Sequence, residues 1–214
     1  MTQMRMQLVL AMLALLPVTA LAQEREREPI APFAADLRVA LPRFPDDEAI
    51  ATALAVTQEN LPTRGLGLSA GLHVYPIRGK VALGIGGEML VSRASRTLEG
   101  EGTAADGPKV NGRFNTISPQ ISLNFGSRRG WSYISGGLGW GTFTVERDAT
   151  PVSAPDGSVR TLNYGGGARW FAKEHLAFTF DFRFHRFDAQ EASAGRPAYP
   201  KGKMTILSAG ISLK

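Results

Sequence analysis

The sequence predicts an all-β protein in which eight antiparallel strands close into an up-and-down transmembrane β-barrel. Three observations support this: stretches of alternating apolar and polar residues, connections that are alternately short and long, and an N-terminal export signal. Alternation places successive side chains on opposite faces of a strand. In residues 175–189, phenylalanines occupy one face, and Asp181, Arg183 and His185 occupy the other. A soluble sheet would bury the aromatic face, whereas a membrane barrel would turn it toward lipid and the charged face toward the lumen.

The first 22 residues have the organisation of a secretory signal peptide. Arg5 supplies a positive charge, an apolar run follows at residues 8–16, and Ala20-Leu21-Ala22 matches the small-x-small cleavage pattern. Pro17 interrupts the run, which is shorter than the ~18 residues of a transmembrane helix. We therefore expect export. Residues 23–32, which alternate Glu and Arg and contain two prolines, are expected to be a solvated periplasmic tether.

Residues 33–214 are expected to form the barrel domain. The candidate strands are residues 33–43, 64–75, 80–93, 113–125, 131–147, 159–171, 175–189 and 203–214. No later stretch is long and apolar enough for a transmembrane helix, so a chain that enters the membrane must do so as a closed barrel, which satisfies every backbone hydrogen bond. The 24 glycines lie largely within strands, which indicates tight curvature or close packing inside the barrel.

The polar faces of the first four candidate strands follow the alternation. They carry, in chain order, Asp36 and Arg38, then Ser69 and His73, then Glu88, then a series of serine, glutamine and asparagine. The fifth strand, residues 131–147, breaks the pattern, because Trp131 and Phe143 are at odd positions while Ile134 and Trp140 are at even ones. A β-bulge among the glycines at residues 136–141 would account for this change of register. The last three strands alternate regularly.

The connections between strands are alternately long and short from the first strand to the last. A transmembrane up-and-down barrel has this rhythm, because tight turns lie on the periplasmic rim and longer loops lie outside. Both termini then lie on the periplasmic side. In the first long connection, Pro45-Asp46-Asp47 precedes a short helical pattern at residues 48–56. Residues 94–112 are polar and glycine-rich, and predict a long loop.

Aromatic residues cluster near the ends of the strands, as in the two belts at the interfaces of a bilayer. Those near the predicted periplasmic rim are Phe33, Tyr75, Phe125, Trp131, Tyr133, Trp170 and Phe171. Those near the predicted outer rim are Phe44, Phe114, Phe143 and Phe187. We expect these two sets to form the two belts.

This arrangement resembles the small eight-stranded bacterial outer-membrane barrels of the OmpA/OmpX type. The segments most similar to strands of that family are residues 118–126, 163–167 and 207–213. The resemblance implies a location in the bacterial outer membrane and insertion by the barrel assembly machinery. Members usually end on an aromatic residue, whereas this chain ends on Leu213-Lys214. We expect a monomer.

Six charged residues are predicted to face the lumen, namely Asp36, Arg38, Glu88, Arg169, Asp181 and Arg183. Side chains nearly fill the interior of an eight-stranded barrel. Charges buried there must pair, because an unpaired one is strongly destabilising. We expect Asp181 or Glu88 to pair with Arg183, Arg38 or Arg169, which would make a structural plug of salt bridges. The alternative is an ion path.

A second set of cations is predicted near the outer rim. Its members are Arg43, Arg64, Arg93, Arg96, Arg113, Arg147, Arg160, Arg186, Lys201 and Lys203. A ring of such donors at this level could hold the phosphates of outer-leaflet lipid. The alternative is that they are solvated charges of the loops.

The composition limits the possible chemistry. The chain has 24 Lys and Arg against 19 Asp and Glu, a net charge of +5 that permits anionic partners without requiring them. The absence of cysteine excludes disulfides, thiolate metal sites and a cysteine nucleophile. Residues 67–71 match G-x-S-x-G, but the motif lies inside a strand and not at a strand-to-helix turn. His73, His175 and His185 are too scattered for a recognisable metal motif.

We therefore expect an outer-membrane barrel with a structural or loop-mediated binding role. No catalytic residue, metal, cofactor or nucleic-acid partner is expected. Three alternatives stay open at this point: a narrow pore or carrier for small molecules, a lipid-modifying enzyme that uses Ser69 or His185, and a soluble secreted β-protein.

Overall fold

The chain forms one closed barrel of eight antiparallel strands, in which each strand pairs with its sequence neighbours and the last pairs with the first. The computed structural model describes residues 28–99, 107–147, 158–191, 198 and 200–214. The strands are β1 (Phe33–Arg43), β2 (Gly65–Arg78), β3 (Val81–Thr97), β4 (Lys109–Ser127), β5 (Gly130–Arg147), β6 (Val159–Phe171), β7 (Leu176–Phe187) and β8 (Gly202–Leu213). The predicted up-and-down barrel is confirmed. The predicted signal peptide lies outside the described residues.

The two ends of the barrel differ in their connections. We call the end with the four long connections the outer end, and the end with the short turns, the start of β1 and the end of β8 the inner end. The predicted loop at residues 94–112 is shorter than expected, because β3 and β4 remain paired as far as Thr97 and Lys109. The β3–β4 ladder therefore extends further toward the outer end than the apolar pattern alone indicates.

The predicted bulge in β5 is wrong. The β5–β6 pairing keeps one register from Gly130 opposite Trp170 to Gly141 opposite Val159. The register shifts instead in β2, between Val74 and Ile77. Odd positions of β5 face the lumen throughout, so the aromatics at its two ends point inward.

The surface of the barrel is inverted relative to a soluble protein. Large apolar side chains cover the outside, with Leu37 53%, Ile121 61% and Phe178 60% exposed. The inward positions of the same strands are polar over much of their length. This is the distribution of a barrel that spans a bilayer. It does not fit the alternative of a soluble β-protein.

The predicted outer aromatic belt is wrong. Phe44, Phe114, Phe143 and Phe187 are at most 3% exposed and lie inside the barrel. Their rings pack together, with centroids 4.7 Å apart for Phe143 and Phe187 and 5.6 Å apart for Phe114 and Phe187. On each of β4, β5 and β7 the aromatic residue stands at an inward position of the alternation. These rings are the centre of an apolar outer plug.

A short lid completes the outer plug. Asp47 caps the N-terminus of helix α1 (Glu48–Ala53), because its side chain accepts a hydrogen bond of 2.8 Å from the Ala49 N–H. A 3-10 turn (Gln58–Asn60) follows. Ile50 and Leu61 are each 1% exposed and join the cluster of the plug. The lid covers the outer mouth because its apolar side chains are buried against the inward rings of the plug.

A second apolar cluster closes the inner end. Tyr75 and Trp131, predicted for the periplasmic belt, point into the barrel and pack edge to face with each other, in a cluster with Ile30 and Ala31. Ile30 and Ala31 are therefore buried, so the described part of the predicted solvated tether is docked in the inner mouth. The belt prediction is wrong for Tyr75, Trp131 and Tyr133, all inward and at most 4% exposed, whereas Phe33, Phe125 and Trp170 are exposed on the outside.

The C-terminal residue is bound to the inner turns. The Lys214 ammonium donates to the Arg128 carbonyl and lies 3.9 Å from the centroid of the Phe171 ring. Partial burial and the nearby Arg128 guanidinium lower the pKa of Lys214 below its usual value.

Among the described residues, no helix is long and apolar enough to cross a membrane.

Candidate functional site in the lumen and at the outer rim

The structure brings all six predicted lumen charges together in the middle of the barrel. The exposure of these residues ranges from 1% for Arg169 to 6% for Glu88. The set holds three arginines and three acids, so its formal charges cancel. Because the outer plug and the inner cluster lie at the two ends, this polar layer is enclosed between two apolar ones.

Asp36 and Arg169 form one pair within this layer. The guanidinium of Arg169 donates two parallel hydrogen bonds to the carboxylate, from Nε to Oδ1 at 2.9 Å and from Nη2 to Oδ2 at 2.5 Å. The guanidinium carbon also lies 4.3 Å from the centroid of the Tyr133 ring. Such a two-bond arrangement is the strongest geometry for an arginine and a carboxylate.

The other four charges form a closed network. Arg38 contacts Glu88 directly and lies 3.4 Å from Asp181. Arg183 contacts the same two acids, at 2.9 Å for Asp181 and 3.6 Å for Glu88. Each cation therefore has two anionic neighbours, and each anion has two cationic ones.

Tyr133 is a central member that the sequence interpretation assigned to the aromatic belt. Its hydroxyl donates to Asp181 at 2.7 Å and accepts from Arg38 at 2.9 Å. Its odd position on β5 was the available signal, but the sequence offered two registers for that strand. Space for the ring comes from Gly167, where an added Cβ would lie 2.7 Å from the Tyr133 hydroxyl oxygen.

Neutral groups complete the shell around the arginines. Ser69 and Ser135 accept hydrogen bonds from Arg38 and Arg183 at 3.1 and 2.9 Å, and the Asn163 side-chain carbonyl accepts from Arg183 at 3.0 Å. Ser69, the serine of the G-x-S-x-G motif, therefore lies within β2 and accepts a hydrogen bond from the buried guanidinium of Arg38. His73 and His185 are also buried, and their ring nitrogens have no hydrogen-bond partner among the described residues. The described residues contain no cluster of metal-binding side chains.

The predicted rim cations divide into two groups by direction. Seven of them are exposed at outward positions above the apolar band, namely Arg43, Arg64, Arg93, Arg113, Arg160, Arg186 and Lys203. Arg147 instead points to the lid, where it donates to the carbonyls of Leu54 and Ala55 at 3.5 and 3.0 Å. Arg96 lines a cleft at the outer mouth together with Arg147, and Lys201 is exposed beside Lys203.

Three of the four outer hairpins carry two cations directly opposite each other. The cross-strand partners are Arg43 and Arg64, Arg93 and Arg113, and Arg186 and Lys203. Like charges in this position repel and destabilise a sheet. Within the described part of the chain, none of these six side chains makes an ion pair with an acid. The outside of the rim is therefore a ring of uncompensated positive charge.

A closed eight-stranded ladder with an apolar exterior and a polar, filled interior defines a small membrane-type β-barrel. Among solved structures, Neisserial surface protein A (NspA) superposes with a TM-score of 0.54 at 10% identity, over 86% of this chain and 97% of that one. This likeness concerns the fold, and the chain has the fold of the small eight-stranded outer-membrane barrels.

Two structures of Ail, the attachment invasion locus protein of Yersinia pestis, are also similar. One superposes with a TM-score of 0.40 at 13% identity, over 85% of this chain and 97% of that one. The other, in complex with the heparin analogue sucrose octasulfate, has a TM-score of 0.39 at 15% identity, over 86% and 100%. No protein-family model matches the chain, and no curated protein sequence matches it significantly.

Proposed function

We propose that this protein is a bacterial outer-membrane barrel with a structural role, which is anchored to the outer leaflet by its ring of outward cations. The observation that carries the proposal is the position of seven exposed cations directly above the apolar band. Phosphate groups of lipids lie at this level of a bilayer, and arginine binds phosphate through two parallel hydrogen bonds. The membrane lipid is therefore the first partner that we assign.

The proposed location has separate support. The apolar exterior requires a bilayer, and the N-terminal pattern is typical of an exported protein. Insertion would then depend on the barrel assembly machinery, which acts on barrels of this class. We propose a monomer, since the closed ladder has no free edge through which strands of a second copy could pair.

The lumen supports a structural role better than transport. The arginines and acids are paired, their charges cancel, and apolar clusters close the barrel on either side. A pore would need a continuous polar path, and the outer plug interrupts it. The same features support a role without catalysis, because Ser69 is bound to Arg38 and has no hydrogen bond to a histidine among the described residues.

The lipid role can be tested by thermal unfolding in bilayers of two compositions. One contains lipid A, which carries phosphates, and the other contains dephosphorylated lipid A. Wild type should have the higher Tm with phosphorylated lipid, because a ligand that binds only the folded state stabilises it. A rim variant replaces Arg43, Arg64, Arg186 and Lys203 by glutamine, and should lose more than half of this gain, since four of the seven outward cations are gone.

A matched control removes the same number of charges from the inner turns, with Arg78, Lys80, Arg129 and Lys173 replaced by glutamine. It should keep the full gain in Tm, because these residues lie at the opposite end. If the rim variant keeps the gain, or if wild type has the same Tm with both lipids, the proposal is wrong. Gel mobility of each unboiled sample, compared with a boiled one, verifies that every variant has folded.

A further inference from the structure

A groove of about 560 Å³ crosses the outside of β1 to β4, just below the outer rim. The pairing register arranges its lining in two rows. Val39, Leu68, Val91 and Asn115 are successive cross-strand neighbours in the row nearer the centre of the barrel wall. Leu66, Arg93 and Arg113 form the row nearer the outer end. The groove is therefore apolar along β1 and β2 and cationic along β3 and β4.

The cationic side of the groove is electrostatically unfavourable as it stands. Arg93 and Arg113 are direct neighbours, so their Cβ atoms are about 5 Å apart. The side chain of neither residue makes an ion pair, hydrogen bond or ring contact with a described residue. Asn115 adds an amide on a face otherwise covered by apolar groups, where a polar group without a partner is costly. An anion between the two guanidinium groups would remove the repulsion and accept a hydrogen bond from the amide.

The other two cation pairs differ, because Arg43 and Arg64 do not line this groove, and Arg186 and Lys203 border a separate hollow. Lys203 already lies 4.4 Å from the centroid of the Phe184 ring. The hollow beside Arg186 and Lys203 is lined by five charged side chains, including the acid Asp188, and by two outward apolar ones, Leu138 and Leu162. Within the described part of the chain, the pair on β3 and β4 adjoins a groove whose other lining side chains are mainly apolar and include no acid.

We propose that this groove is a binding site for one phosphorylated acyl lipid of the outer leaflet. Its phosphate bridges Arg93 and Arg113 and accepts a hydrogen bond from Asn115. One acyl chain lies along Val39, Leu68 and Val91, all of which are about half exposed without a ligand. This inference rests on the proposed lipid contact of the rim. It adds that one site selects a phosphate and an acyl chain together.

Native mass spectrometry of the purified, detergent-solubilised barrel tests the proposal. The probes are lipid A, dephosphorylated lipid A and inorganic phosphate. Wild type should retain one lipid A, and should bind the dephosphorylated form at least about tenfold more weakly, since hydrogen bonds to charged groups are worth that much or more. An excess of inorganic phosphate should not displace the lipid, because phosphate alone does not use the apolar floor.

Two double variants separate this site from the general ring. Arg93→Gln with Arg113→Gln should weaken the retention of lipid A about tenfold or more. Arg186→Gln with Lys203→Gln removes an equivalent pair whose hollow already contains the acid Asp188, and should leave the single retained lipid in place. A third variant, Leu68→Ala with Val91→Ala, should also weaken retention while both arginines remain.

The outcomes distinguish a selective site in the groove from a general contact of the rim with lipid phosphates. If both charge variants lose lipid equally, or if inorganic phosphate displaces the lipid, the groove is not the selective site, although the rim still binds phosphate. If neither charge variant loses lipid and wild type retains both forms of lipid A alike, the proposed lipid role of the rim also fails. Unboiled gel mobility identifies any variant that has not folded.

Discussion

Replacement of Asp36 by asparagine is the most direct test of the lumen network. The change keeps the shape of the side chain but removes its charge. Asp36 is 5% exposed, and among the described residues its ion-pair partner is Arg169 alone, which is 1% exposed. Asp36→Asn therefore leaves one arginine without an anionic partner between the two apolar clusters.

The expected cost follows from this geometry. Breaking a buried ion pair by removing one partner typically costs about 3–5 kcal/mol, because the remaining charge stays buried without compensation. Glu88→Gln should cost less, about 1–3 kcal/mol, the loss of a hydrogen bond to a charged group. The reason is that Arg38 and Arg183 both keep Asp181 as a neighbour, at 3.4 and 2.9 Å.

The assay is reversible unfolding by urea in lipid vesicles, with the free energy of unfolding compared among variants. Asp188→Asn is the control, because this acid is exposed at the outer end. The double variant Asp36→Asn with Arg169→Met should recover most of the lost stability, since removing both charges of a buried pair is often neutral.

Two results would refute this reasoning. One is an Asp36→Asn variant within about 1 kcal/mol of wild type, the range of a solvent-exposed ion pair. The other is a double variant no more stable than the single one, which would mean that the uncompensated charge of Arg169 is not the cause of the lost stability.

Three further predictions concern packing and transport. Gly167→Ala should destabilise the barrel by about 1–3 kcal/mol in the same urea assay, because its Cβ would overlap the Phe180 backbone carbonyl and the Tyr133 ring. Gly136→Ala, whose Cβ would meet no atom closer than 3.5 Å, should be nearly neutral. Ile50→Ala in the lid should cost about 2–5 kcal/mol by the same measurement. Wild type in planar bilayers should show no single-channel current, and neither should Ile50→Ala, because the ion-pair network and the inner cluster still close the lumen; steady current from wild type would contradict the closed interior.

Strand alternation predicted the inward and outward faces correctly for seven of the eight strands, and with them the positions of all six lumen charges. It failed on β5, because the glycines at residues 136–141 carry no side chain that reveals which face they are on. Which lumen charges pair with each other could not be predicted from the sequence either, because the pairing depends on how far each strand is staggered around the barrel. Arg169 and Asp36, for example, are 133 residues apart in the chain.

The aromatic residues were misassigned for a different reason. Position along a strand places a residue at the level of an interface, but only its parity decides whether it faces lipid or lumen. Phe114, Phe143 and Phe187 lie at the level expected for an aromatic belt, but they occupy the inward positions of their strands. The lid of α1 explains why aromatics are favoured there, because a wide mouth covered by a short helix needs large side chains to fill it.

The two sets of charge in this barrel should therefore respond to mutation in opposite ways. The lumen charges are enclosed between apolar clusters, so pairing is obligatory and the loss of any one partner is a loss of stability. The outward cations are exposed and make no ion pair with an acid of the described residues, and opposed pairs of them repel, so their removal should leave the intrinsic stability unchanged or slightly improved in phosphate-free lipid. Unfolding of the rim variant in dephosphorylated lipid measures this directly. A stability equal to or above wild type there, combined with a lower stability in phosphorylated lipid, would identify the rim cations as ligand-binding groups. A loss of stability in both lipids would make them part of the fold.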